Sequence, residues 1–133
     1  MADVQRHPVT SVILAAAIEV HRCLGPGMLE RVYQTCLLHE LLQRGLEVAR
    51  EVPVPITYKG VQLDCGFRLD LFVAQTVIVE VKSIEQLLPV HSAQVLTYLR
   101  LTGARQALLL NFNVTVLREG IRSFLGEGAK PSR

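Results

Sequence analysis

The sequence predicts a single α/β domain with a central mixed β-sheet and helices packed on its faces. Two segments of helical apolar spacing open the chain. A middle stretch then changes to period-two and β-branched patterning, and a third helical segment leads into a last, strongly apolar strand. At 133 residues the chain is long enough to bury roughly two thirds of its unfolded surface around one core. Half of the residues are hydrophobic and 20% are charged, the balance of a globular protein and not of a disordered one. Tryptophan is absent and aromatics are 5%, so aliphatic side chains must fill the core. A formal net charge of +2 does not by itself argue for a nucleic-acid partner.

The first helix is expected from about Thr10 to Leu24. Val12, Ile13, Ala16, Val20, Cys23 and Leu24 form its apolar face, and Thr10 or Ser11 caps it. Gly25-Pro26-Gly27 ends it, because glycine suits the left-handed position and proline cannot continue the helix. A second helix, from about Leu29 to Arg44, carries Leu29, Val32, Tyr33, Cys36, Leu37 and Leu41 on one stripe and stops at Gly45. Val48 to Tyr58 alternates but contains Pro53 and Pro55, which predicts an edge or irregular strand. Lys59-Gly60 turns the chain, and Val61-Gln62-Leu63 begins a return. Phe67 to Val73 and Val77 to Lys82 are strands joined by Ala74-Gln75-Thr76, the second with the continuous β-branched run of a strand covered on both faces. A third helix over about His91 to Thr102 closes at Gly103, and Gln106 to Phe112 is the next strand. A short strand over Val114 to Leu117 and a final helical turn over Glu119 to Leu125 complete the expected order. The domain thus spans 10–125, between an arm over 1–9 and a fraying tail over 126–133.

Three widely spaced cysteines, Cys23, Cys36 and Cys65, contain no CxxC pair. They read as buried or free thiols in a reducing compartment, not as a disulfide framework or a zinc site. No signal-peptide pattern appears, and the apolar run from Val12 to Ile18 is far short of the ~20 residues a membrane span needs. The expectation is a cytoplasmic protein without a membrane partner.

The chemistry-bearing stretch runs from Asp70 to Lys82. Glu80 and Lys82 are two apart on one strand and share a face. If residues 74 to 76 form the hairpin loop, Asp70 falls directly opposite Glu80, where Cβ atoms lie about 4.5–5.5 Å apart. Two carboxylates so close repel unless a cation lies between them or one holds a proton. A hard divalent ion, Mg²⁺ or Mn²⁺, fits such oxygen ligands, and Lys82 beside it can orient a water or stabilise charge on phosphorus. The plainer alternative is a salt-bridged polar face on an edge strand.

With these residues in place, the chain resembles the PD-(D/E)XK nuclease superfamily, and within it the small bacterial GxxExxY proteins. The naming motif stands as Gly27-Met-Leu-Glu30-Arg-Val-Tyr33. Arg68-Leu-Asp70-Leu followed by Val79-Glu80-Val-Lys82-Ser is similar to the superfamily core motif. The segment from Pro89 to Gly103, with Gln94 and Tyr98, resembles the helix that follows it. The resemblance implies a restriction-endonuclease-like core with Asp70 and Glu80 as metal ligands and Lys82 as the catalytic lysine. It also implies that Glu30 joins the metal, directly or through water, and that Tyr33, its neighbour on the helix face, contacts the substrate. Gln94 and Tyr98, at i and i+4, then contact nucleic acid. For Glu30 the alternative is a first-turn glutamate stabilised by the helix dipole, and for Gln94 and Tyr98 a polar helix flank.

Arg68 and Arg100 can bind phosphate through their guanidinium forks, although an ion pair explains each singly. His21, His39 and His91 lack metal-spaced partners and read as core-edge, surface or capping residues. The function expected is a metal-dependent nuclease acting on DNA or RNA. The alternative is a non-catalytic nucleic-acid- or protein-binding module on the same fold. The edge strand around Val52 to Tyr58 also offers a surface on which a homodimer can form.

Overall fold

The computed structural model describes residues 7–127. Helices α1 (Pro8–Leu24) and α2 (Glu30–Gln43) are followed by strands β1 (Val48–Pro53), β2 (Ile56–Tyr58), β3 (Val61–Leu63), β4 (Arg68–Val73) and β5 (Val77–Lys82). Helix α3 (Pro89–Thr102), strand β6 (Gln106–Asn111), a 3₁₀ turn (Leu117–Gly120) and strand β7 (Ile121–Leu125) complete the chain. The main sheet has five strands in the order β1-β4-β5-β6-β7, and β2 pairs with β3 in a separate hairpin. Only the β5–β6 pair of that sheet is parallel, because α3 carries the chain back across it as a βαβ crossover.

The sheet divides the hydrophobic interior in two. On one face Leu71, Val73, Val77, Val79, Val81, Leu108 and Leu110 pack beneath α1 and α2. On the other, Leu69, Ile78, Ala107 and Leu109 pack beneath Val95, Tyr98 and Leu99 of α3. β5 and β6 supply both cores, which is why Val77-Ile78-Val79 and Ala107-Leu108-Leu109-Leu110 are continuous apolar runs.

Several local expectations change. The first helix begins earlier, at Pro8, with the His7 ring accepting from Val9 N–H at 3.1 Å. Thr10, expected as a cap, is buried and donates to Gln106 Oε1 at 2.7 Å, tying α1 to β6. Cys23 and Leu29, placed on apolar stripes by spacing, are exposed. All three cysteines are free. The alternation over Val48 to Tyr58 is cut at Val54-Pro55 into β1 and β2, which belong to different sheets. No strand forms over Val114 to Leu117, where the chain bends into the 3₁₀ turn. The expected helical turn over Glu119 to Leu125 is instead β7. All six residues of β6 are buried, so its outer backbone edge needs a hydrogen-bonding partner, and the segment that follows supplies it. The arm and tail boundaries fall largely outside the described residues, although Pro8 and Val9 are helical and Gly126 N–H bonds Arg105 O at 2.8 Å.

Gly120 is where the 3₁₀ turn passes into β7, and a Cβ placed there would lie 2.0 Å from the Asn111 carbonyl oxygen. Gly120→Ala is therefore expected to cost about 1–3 kcal/mol of stability through overpacking against rigid backbone. Urea denaturation of the variant beside the parent protein tests this, and an unchanged midpoint would refute it.

Candidate active site

The paired ladder of β4 and β5 stops at Leu71↔Val79, and the next position in register places Asp70 opposite Glu80, as the three-residue turn over 74 to 76 requires. There the backbone ladder gives way to side chains. Glu80 Oε2 accepts from the Asp70 backbone N–H at 2.9 Å, and Asp70 Oδ2 accepts from the Val81 N–H at 2.8 Å. Each carboxylate thus caps the donor that the splayed strand would otherwise leave unpaired.

The facing of the strands changes at the same level. Leu71 and Val73 lie in the α1–α2 core, yet Leu69, two residues earlier, lies in the α3 core. β1 changes in step, with Val48 packed on the first core and Val52 on the second. Between Arg50↔Leu71 and Val52↔Leu69, Glu51 falls opposite Asp70 and adopts a positive φ of 54°. Non-glycine residues rarely take that conformation, and where they do the surroundings hold them in it. Glu51, Asp70 and Glu80 consequently form one row of acids across three neighbouring strands.

Burial and mutual repulsion set the charges of this row. Glu80 is only 4% exposed. Desolvation first, then the Asp70 charge, push its carboxyl up to about 8, against the lowering effect of the Asp70 N–H and of Lys82. Asp70 is also raised, chiefly by desolvation and then by Glu51 and Glu30, while the Val81 N–H and Lys82 act the other way. Lys82 is therefore electrostatically close to both acids. On the α3 side, desolvation and the charges of Glu80 and Asp70 raise the Tyr98 phenol, and Gln94 Nε2 donates to its oxygen at 3.4 Å. Gln94 and Tyr98 accordingly flank the pair. Arg68 stands at the start of β4, but its guanidinium is engaged by Asp64 at 3.2 Å.

Glu30 reaches the site through the loop before α2. Gly27 takes a φ of 99°, accessible to glycine, and Glu30 then opens the helix. Tyr33 fixes this loop. Its ring is 0% exposed and stacks on Phe112 at 4.5 Å, while its hydroxyl donates to Gly25 O and accepts from Met28 N–H. Direct contact with a substrate, expected for Tyr33, is not available to a ring without exposed surface. Its work is to brace the loop that presents Glu30. Ser83 Oγ donates to Met28 O at 2.6 Å and ties the same loop to the chain just after Lys82.

A cavity of about 510 Å³ opens on this arrangement, lined by Glu30, Arg31 and Gln34 of α2, by Arg50 and Glu51 of β1, and by Asp70 and Val81. Gln34 is buried and joins the walls: its Nε2 donates to Glu51 Oε2 at 3.0 Å and its Oε1 accepts from Arg50 Nε at 2.8 Å. Sequence spacing singles out none of Arg31, Gln34, Arg50 and Glu51, because the first two enter the site through the packing of α2 and the last two through the pairing of β1 with β4. A charged Arg-Glu pair inside a strand was the one local sign of them.

Among the described residues no three carboxylate, histidine or cysteine groups converge as a finished ligand set. The Asp70–Glu80 pair nevertheless fits a hard divalent cation. Each carboxylate keeps a second oxygen beyond the one bonded to backbone, and such ions are commonly held by one or two carboxylates with water and substrate phosphate completing the shell. A cation there would also relieve the repulsion that raises both groups.

Helices on both faces of a mixed sheet, with opposed acids and a lysine on its central strands, define a domain of the restriction-endonuclease-like class. The family model of the PD-(D/E)XK nuclease superfamily matches residues 7–124, and the chain belongs to that superfamily. No curated protein and no solved structure matches the chain. No helix among the described residues is long and apolar enough to cross a membrane.

The raised Glu80 carboxyl gives a pH signature. Between 4.5 and about 8 the folded protein holds a proton that the unfolded chain releases. Unfolding thus sheds protons, and the stability of the metal-free protein falls as pH rises through that window, levelling off above it. Glu80→Gln keeps an acceptor for the Asp70 N–H without the charge and should flatten the profile. Thermal midpoints in chelator across the window test this, and an equally steep fall in Glu80→Gln would rule out Glu80 as its source.

Proposed function

We propose that this protein is a divalent-cation-dependent nuclease of the GxxExxY type, hydrolysing phosphodiester bonds of nucleic acid. One observation carries the reading: two acids, Asp70 and Glu80, oppose each other at the point where two central strands part, with Lys82 beside them on the same strand. A structural ion pair would need only one acid for that lysine. A second acid, largely withdrawn from water, costs stability that a cation offsets. Membership of the nuclease superfamily supports the same reading.

Asp70 and Glu80 would hold Mg²⁺ or Mn²⁺, with Glu30 joining through water from the start of α2. A divalent ion at that place supplies Lewis acidity and lowers the pKa of a bound water. The chain's own groups do the rest. The Asp70 and Val81 N–H groups fix one oxygen of each carboxylate and so aim the other. The Lys82 ammonium would stabilise the negative charge that gathers on the phosphoryl oxygens. Apolar walls around Glu80 keep the dielectric low and strengthen these interactions. Gln94 and Tyr98 border the substrate from α3, and Arg68 joins by exchanging Asp64 for a phosphate.

Calorimetric titration with Mn²⁺ and Mg²⁺, together with cleavage assays on labelled single- and double-stranded DNA and RNA, tests the proposal. Wild-type protein should bind the ion, and Asp70→Asn should lose that binding. Lys82→Ala should keep metal binding and thermal midpoint while kcat falls by about 10²–10⁴-fold. Undiminished cleavage by Lys82→Ala would sink the mechanism. Metal uptake without cleavage of any substrate would instead identify a nucleic-acid-binding module.

A further inference from the structure

The cavity beside Asp70 is lined by cations as well as acids, and the cations are not neutralised by those acids. Arg22, Arg44 and Arg68 pair with carboxylates three or four residues away, at 2.8, 3.0 and 3.2 Å. Arg50 and Arg31 share their cavity with Glu30, Glu51 and Asp70, yet neither forms an ion pair among the described residues. Arg50 is held by neutral acceptors: its Nε donates to Gln34 Oε1 and its Nη2 to Thr35 Oγ1, both at 2.8 Å. Those two bonds fix the guanidinium plane and leave its charge and its remaining N–H groups for something else. Gln34 is three residues after Arg31 on α2, so the residue that grips Arg50 is on the helix face Arg31 occupies. Two guanidinium groups are thereby set on the walls of one cavity.

We propose that Arg31 and Arg50 form a phosphate cradle that seats a nucleic-acid phosphodiester beside the Asp70–Glu80 centre. The inference rests on the nuclease reading above and adds to it the groups that hold the substrate. Charge supports it. With all four carboxylates ionised around a divalent ion, Glu30, Glu51, Asp70 and Glu80 against Arg31, Arg50, Lys82 and the ion leave one net positive charge. A phosphodiester carries a single negative charge and matches it. The guanidinium fork supplies the paired N–H geometry suited to two phosphoryl oxygens, which a lysine at the same place would not. Gln34 acts as a positioning residue: with one amide it orients Arg50 toward the anion and Glu51 toward the cation side.

The test uses the full chain in a Lys82→Ala background, so that the probe stays intact. Fluorescence anisotropy of a labelled single-stranded DNA dodecamer is followed with Mn²⁺ present and across salt concentration. Arg50→Gln and Arg31→Glu should each weaken binding about tenfold or more. Each should also lower the slope of log K against log salt by about 0.7, while Mn²⁺ titration by calorimetry stays as in the parent. The Arg31 side chain makes no hydrogen bond among the described residues, so Arg31→Glu decides the matter if Arg50→Gln, which also loses the brace to α2, fails to fold. Parent-like probe binding by a folded Arg31→Gln/Arg50→Gln protein that takes up Mn²⁺ would overturn the cradle, as would a parent protein that does not bind the probe. Arginine-dependent binding of the probe without any Mn²⁺ uptake would uphold the cradle and remove the metal-dependent reading instead.

Discussion

Two carboxylates stand in for missing rungs of a β-ladder, and the rest of the site follows from that substitution. β5 is buried at every position but Lys82, so its backbone needs a partner from the protein where the strands part. Asp70 and Glu80 solve the problem for each other's strand, Glu80 taking the Asp70 N–H and Asp70 taking the Val81 N–H. Their presence lets β4 and β5 splay, and the splay lets Leu69 turn to the opposite core from Leu71. β1 follows, with Glu51 in a left-handed conformation at the level of the break. A flaw in the sheet becomes its polar mouth.

The two-core architecture explains why the break can be tolerated. α1 and α2 clamp one face of β5 and β6 while α3 clamps the other, so the strands are held by packing on both sides even where hydrogen bonds are lost. The same packing withdraws Glu80 from water and moves its protonation toward neutral pH. Hydrophobic burial and site chemistry are thus parts of one arrangement, because the desolvation that makes Glu80 costly also makes a nearby cation effective.

What the sequence made legible was what is local. The Asp70–Glu80 opposition follows from a three-residue turn between adjacent strands, and Lys82 follows from the period of two. The helices and the stop at Gly103, which the fold takes in a left-handed conformation, are equally local signals. The positions that sequence patterning misplaced depend on distant partners. Arg50, Glu51, Arg31 and Gln34 meet only because β1 lies beside β4 after the β2–β3 hairpin has intervened, and no spacing encodes that register. β7 was read as helical because five residues carry little periodicity, and its strand character comes from the edge of β6 that it covers. Tyr33 is legible both as a motif residue and as part of the apolar stripe of α2, but its partner is not, since its ring finds Phe112 only in the folded chain.

Tyr33 also links the interior to the cleft. Its ring is part of the deep interior, and its hydroxyl holds the loop that Ser83 fastens to the end of β5. A packing defect at Phe112 would not stay a matter of stability: a tilt of the stacked ring shifts the hydroxyl, and with it the carbonyl and amide that shape the approach to Glu30. Mutational tolerance in this interior is therefore narrower than its aliphatic make-up suggests. Substitutions at the two aromatic positions are epistatic with changes at the cleft mouth, and neither region can drift without the other compensating.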